Sequence, residues 1–112
     1  MIRALGCSLS GIISSFKVLD TASNNIANAE TNGYKAKSVV LRESHGGVAT
    51  STATDNSPGH KFQLDGRIFE ASNVNIASEM VSLITARHMF SFNAAAFKTA
   101  TEMEKSLIDT LA

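Results

Sequence analysis

The chain is 112 residues long, with 10 Lys+Arg against 10 Asp+Glu, one Cys, one Pro and no Trp. That length holds one domain, and zero net charge leaves no basic excess to hold nucleic-acid phosphates. Charged residues at 18% beside apolar ones at 44% argue against wholesale disorder, and the lone Cys7 excludes an internal disulfide or a multi-thiolate metal centre.

From the N-terminus, Met1-Ile2-Arg3-Ala4 leads into apolar residues interleaved with Gly, Ser and Lys. A cleaved signal peptide needs about 7–15 unbroken apolar residues and a membrane helix about 20. The expectation is therefore a soluble chain with no cleaved leader and no membrane insertion. Ile2, Leu5, Leu9, Ile12, Phe16, Leu19, Ser23 and Ile26 then recur at alternating spacings of three and four. This is a heptad stripe that keeps one face toward a partner helix. At about 1.5 Å per residue, residues 2–26 predict a rod nearly 40 Å long. Asn32-Gly33 is its latest stop, since both residues tolerate the left-handed conformation that ends helices.

Of the 34 apolar residues other than alanine, only eight fall in 36–72, so the chain reads as two apolar ends around a thin middle. Within that middle, Ala36–Glu43 reads as a strand, and 44–60, rich in Gly, Ser and Thr, as a mobile loop. Lys61–Glu70 reads as strand, Asp-Gly turn and strand, with Phe62 opposite Phe69. Residues 75–111 predict a second helix, capped by Asn73 or Asn75, with Glu79 suiting the helix dipole in its first turn. Met80, Leu83, Ile84, Phe90, Ala94, Phe97, Met103, Leu107 and Leu111 recur along it at helical spacing. The expected fold is mainly α: long N- and C-terminal helices packed as a coiled-coil-like pair, with a small β-hairpin and loop excursion between them. All 112 residues form one domain, divided as 1–35, 36–72 and 73–112.

No constellation carries chemistry. His45, His60 and His88 have no metal-ligand spacing, and Gly46-Gly47 lacks the Lys-Ser/Thr of a phosphate loop. The serines lack a nucleophile elbow, and Glu102 and Glu104 point apart on a helix. No enzymatic activity, cofactor, metal or small-molecule substrate is expected. The unusual segment is Ser23–Lys35, where four asparagines sit in or near a helix that disfavours them. One reading is a fraying helix end. The other is that amides hydrogen-bond across a packed interface, with Tyr34 as an amphipathic anchor.

Asn25-Ile26-Ala27-Asn28-Ala29-Glu30-Thr31-Asn32-Gly33-Tyr34-Lys35 resembles the N-terminal signature of the bacterial flagellar basal-body rod and hook family. Asn73-Val74-Asn75-Ile76, Glu79-Met80-Val81 and Phe92-Asn93-Ala94 are similar to the same family's C-terminal helix, with Asn75 where relatives carry aspartate. Among its members, the short proximal-rod type is most similar. The resemblance implies a self-assembling structural subunit of the axial rod, exported by the flagellar type III apparatus without a cleaved signal peptide. It implies copies of itself and other rod subunits as partners, and a place in the basal body, within the cell envelope. Leu5, Leu9, Ile12, Phe16, Leu19 and Ile26 are the expected helix seam. Asn25, Asn28 and Tyr34 are expected at lateral subunit contacts, and Met80, Leu83, Phe90, Phe97 and Leu107 against the N-terminal helix. A soluble helical adaptor or chaperone-like module that binds a partner helix uses the same periodicity.

Overall fold

A computed structural model describes all 112 residues. Helix α1 spans Ile2–Ala27 and α2 spans Ile76–Leu111. Between them lie two antiparallel hairpins: β1 (Lys37–Ser44) pairs with β2 (Gly47–Thr54), and β3 (Lys61–Leu64) with β4 (Arg67–Glu70). Each local start and stop has a physical cause. Asn28 ends α1, its N–H reaching the carbonyls of Asn24 and Asn25, and Gly33 turns the chain at φ 74°. Asn75 caps α2 by accepting from the Ser78 N–H at 3.2 Å, with Glu79 in the first turn. In the second hairpin Asp65 and Gly66 both take positive φ, 49° and 75°, the conformation a two-residue hairpin turn requires. Phe62 pairs with Phe69 as the Asp-Gly turn predicts, their rings stacked at 5.7 Å.

The helices run antiparallel, Gly11 against Asn93 and Phe16 against Phe90. The contact between them is not the one the heptad spacing predicts. The residues α1 turns inward are Ser8, Gly11, Ser15, Val18, Ala22 and Asn25, all buried except Val18, which is half-buried. This row has the same three-four spacing as the apolar stripe but lies one residue earlier, about 100° round the helix. Leu9, Phe16 and Leu19 stay 49%, 54% and 42% exposed. Small residues win the seam because they let two backbones approach. Asn93 sits over Gly11 so closely that a Cβ there would strike its side-chain amide. The serines line a dry seam because each hydroxyl bonds back into its own helix: Ser8 to Ala4, Ser14 to Ser10 and Ser15 to Ile12.

The middle also departs from expectation. What reads as a mobile loop over 44–60 contains β2, where Val48, Thr50, Thr52 and Thr54 alternate with Ala and Ser. The first hairpin folds back along α1, and Ser10 Oγ accepts from the Val48 N–H at 3.0 Å near its turn. The architecture is thus two long helices with two hairpins, about a fifth of the chain being strand. It is not a mainly-α coiled-coil-like pair, because leucine-type knobs do not form the seam and the middle is ordered sheet.

Candidate functional site: the outward apolar faces

Nine of the 112 residues are buried, and the largest fully enclosed side chains are Asn25, Ser14 and Ser15. A chain with so thin a core keeps its large apolar residues elsewhere. On α1, Ile2, Leu9, Ile13, Phe16 and Leu19 form one exposed face; on α2, Met80, Val81, Ile84, Phe90, Phe92 and Phe97 are exposed. The accessible surface is 7885 Å², whereas a compact monomer of this mass exposes about 6000 Å². The excess of about 1900 Å² matches the scale of a protein–protein interface. Along one edge of the helix pair, Phe16, Leu19, Leu83, Ala86 and Phe90 line an open groove of about 370 Å³, with Ser15 and Arg87 also lining it. Phe16 and Phe90 meet there at 5.5 Å in a tilted pair.

The residues expected at the helix seam and at subunit contacts separate into two groups. Leu9, Phe16, Leu19, Met80, Phe90, Phe97 and Leu107 are exposed, and Leu5, Ile12, Ile26 and Leu83 half-buried. Of the five α2 residues expected against α1, Leu83 and Phe90 join α1 residues in the groove, whereas Met80 stands 57% exposed.

Asn25, Asn28 and Tyr34 form the other group, and their polar groups are engaged within the chain. Asn25 is wholly enclosed. Its Oδ1 accepts from the Tyr34 hydroxyl and the Lys37 N–H, both at 3.0 Å, and its Nδ2 donates to the Lys37 carbonyl at 2.6 Å. The amide thereby acts as a strand partner for Lys37 and fixes the end of α1 to the start of β1. Asn28 closes the helix, donating to the Asn24 carbonyl at 2.9 Å and accepting from the Thr31 hydroxyl at 3.2 Å. Because these bonds are spent inside the chain, the buried Asn25 is withdrawn from the interface set. The amide of Asn25 thus fixes a junction inside one molecule, between the end of α1 and the start of β1.

Asn73, expected only as a cap, is a second junction residue that sequence reasoning missed. Its Oδ1 accepts from the Ala36 N–H at 2.7 Å, and its Nδ2 donates to the carbonyls of Asp55 and Ser57 at 2.9 and 3.0 Å. Beside it Lys35 pairs with Glu70 and donates to the Ser57 carbonyl, while the Gly59 N–H also reaches the Glu70 carboxylate. The Lys35 hydrogen bond, then the Gly59 N–H, hold the Glu70 carboxyl below the usual carboxylate range. Asp55 is likewise lowered, by the Ser57 hydroxyl and then its N–H. The motif Asn-x-x-Asn-x-x-Thr-x-Gly-Tyr-Lys is therefore the clamp that joins helix, hairpins and the lead into α2.

One correction concerns α1. It is long and apolar enough to cross a membrane by length and composition, with a mean hydropathy of 1.3 over its best 18-residue window. That value follows from composition alone, and 22% of the window is buried against the rest of the chain. No cluster of metal-ligating side chains is present.

Two family profiles match the chain. Residues 65–110 match the flagellar basal body rod FlgEFG protein C-terminal family, and residues 16–35 the flagella basal body rod protein family. The first takes in β4, the Asn73 clamp and nearly all of α2, and the second runs from Phe16 to Lys35. No individual curated protein gives a significant match. Both matches are to flagellar basal-body rod families, structural and non-enzymatic components of the bacterial flagellum, and together they support rod-family membership for the chain.

Proposed function

We propose that this chain is a proximal-rod subunit of the FlgC type that polymerises through the outward apolar faces of α1 and α2. The observation that carries the reading is the inversion of α1: its small residues are spent on the intrachain seam, and Leu9, Ile13, Phe16 and Leu19 remain exposed. Covering such a face returns roughly 25 cal/mol for each Å² of apolar surface removed from water. That stabilisation reaches the chain only when copies associate. The two small hairpins in place of a large middle domain favour the proximal-rod type. Copies of the chain and other rod subunits are then its partners in the cell-envelope portion of the basal body, reached through the flagellar type III export apparatus.

The test is electron microscopy of basal bodies from cells lacking the gene, complemented with the unmodified chain or with a Leu9→Asp variant. Loss of rod and hook in the deletion, restored by the unmodified chain and not by Leu9→Asp, is the expected result. Intact flagella in the deletion would count against the rod role and favour the adaptor. Normal rods built from Leu9→Asp would remove the outward face from the contact.

A further inference from the structure

The β3–β4 hairpin stands apart from the rest of the molecule, packing against neither helix nor the first hairpin. A two-stranded hairpin is marginal by itself in water, and here the stacked Phe62–Phe69 pair holds the strands together. What ties it to the body gathers at one end, around Glu70. On the outer edge of β4 the Glu70 carbonyl accepts from the Gly33 N–H at 2.8 Å. The Glu70 carboxylate takes the Lys35 ammonium and the Gly59 N–H, the latter at 2.7 Å. No other side chain of residues 61–70 makes a hydrogen bond or an ion pair to the rest of the chain. At the same level Gly59 passes so close to Ala71 that a Cβ would strike the Ala71 carbonyl. The hairpin thus has a narrow neck and a long free arm.

The two anchors at that neck act in different directions. A backbone carbonyl on a strand points within the plane of the pair, whereas a side chain stands off that plane. The Gly33 bond alone leaves the hairpin free to rock about its neck, and the carboxylate, reaching off the plane, blocks that rocking. We propose that the Glu70 carboxylate is a latch that sets the direction of the β3–β4 hairpin, which swings about its neck when the latch is broken. The Lys35 bond carries charge on both partners, the stronger class of hydrogen bond. Lys61 lies opposite Glu70 in the strand pair but forms no ion pair, so Lys35 is the cation that closes the latch. Lys35 in turn is anchored on the Ser57 carbonyl at 2.9 Å. It stands two residues before Lys37, whose backbone Asn25 fixes to α1, so the latch runs from the hairpin to the helical body. What it directs is the exposed tip, where Leu64 and Ile68 lie on opposite faces, 58% and 75% exposed. A latched arm presents each of them in one direction. The inference concerns a single chain and holds whether or not copies assemble.

The experiment measures a distance within the full-length chain by double electron–electron resonance. Spin labels sit at Gln63→Cys on the hairpin and Thr85→Cys on α2, both exposed positions, with Cys7→Ser removing the native thiol. Dilution with unlabelled chain restricts the reading to pairs within one molecule. With the latch intact the labels should give one narrow distance. Glu70→Gln and Lys35→Met should each broaden it into a wide spread, while nuclear Overhauser contacts between the Phe62 and Phe69 rings persist. Glu43→Gln, which removes a carboxylate that has no ion pair, should leave the distance narrow. An unchanged distance in both latch variants would mean that the Gly33 bond suffices, and the latch would be overturned. Loss of the ring contacts along with the distance would show that Glu70 holds the hairpin together and does not aim it. Broadening by Glu43→Gln as well, or a spread already present in the unmodified chain, would overturn the proposal too.

Discussion

The two faces of α1 differ by one residue in register and by everything else in chemistry. Ser8, Gly11, Ser15, Ala22 and Asn25 turn inward, while Leu9, Phe16 and Leu19 turn out. The inner face holds the helices close but removes little apolar area from water, so much of its work is done by hydrogen bonds and by close fit. The outer face carries the hydrophobic surface and has nothing to cover it within one chain. What this teaches is that a helix can carry two parallel three-four rows at once. The more apolar row need not be the one that folds the molecule.

Variants can break that division, starting where the single chain depends on it most. Asn25→Leu should cost about 2–4 kcal/mol, because the Lys37 N–H and carbonyl and the Tyr34 hydroxyl all lose a buried partner. Thermal or urea unfolding reads this directly, and an unchanged midpoint would show that the clamp is not structural. Gly11→Leu should cost about 1–3 kcal/mol by forcing Asn93 out of the seam, again read as a lowered unfolding midpoint. Tyr34→Phe should lose about 1 kcal/mol, since one hydrogen bond goes while the ring remains.

The Lys35–Glu70 pair has a signed dependence on pH. Glu70 titrates below the usual range when folded, so its contribution is fully present above the unfolded carboxyl value and is lost as pH falls through the lowered folded one. Glu70→Gln should therefore melt below the unmodified chain at pH 7, with the gap closing as the pH falls through the lowered folded value. A gap that stays constant with pH would deny the linkage. The smallest effect on stability is the most discriminating. Ile13→Glu on the outer face should shift the monomer's unfolding by no more than about 0.5 kcal/mol, yet reduce assembly. Severe destabilisation of the monomer would mean that the two faces are not separable.

The sequence made some of this legible. Both helices, the Asn75 cap and the second hairpin follow from periodicity, capping chemistry and an Asp-Gly turn, all of which act over a few residues. The seam was misjudged because heptad spacing says how residues share a face and not which face meets the partner. Leu9 and Ser8 belong to rows of identical period, and the row with larger side chains draws the eye. Strand β2 was hidden by small residues and by Gly46-Gly47, although Val48, Thr50, Thr52 and Thr54 place a β-branched side chain at every second position. The clamp roles of Asn25 and Asn73 depend on partners 12 and up to 37 residues away, beyond what local pattern encodes. Leu9, Phe16 and Leu19 are expected in the seam by their spacing, and their exposure places them outside it.

The molecule's dimensions, 78 × 22 × 14 Å, give the close-packed seam a mechanical meaning. Small side chains bring two helices together into a plank, and a plank resists stretching and flexing within its wide plane better than flexing across its thin one. One copy is therefore a compliant element. Resistance to flexure grows steeply with thickness, so laying planks side by side stiffens the bundle far beyond the sum of its members. In the proposed rod, rigidity would belong to the assembled shaft, and the thinness of each stave would let many of them pack about one axis.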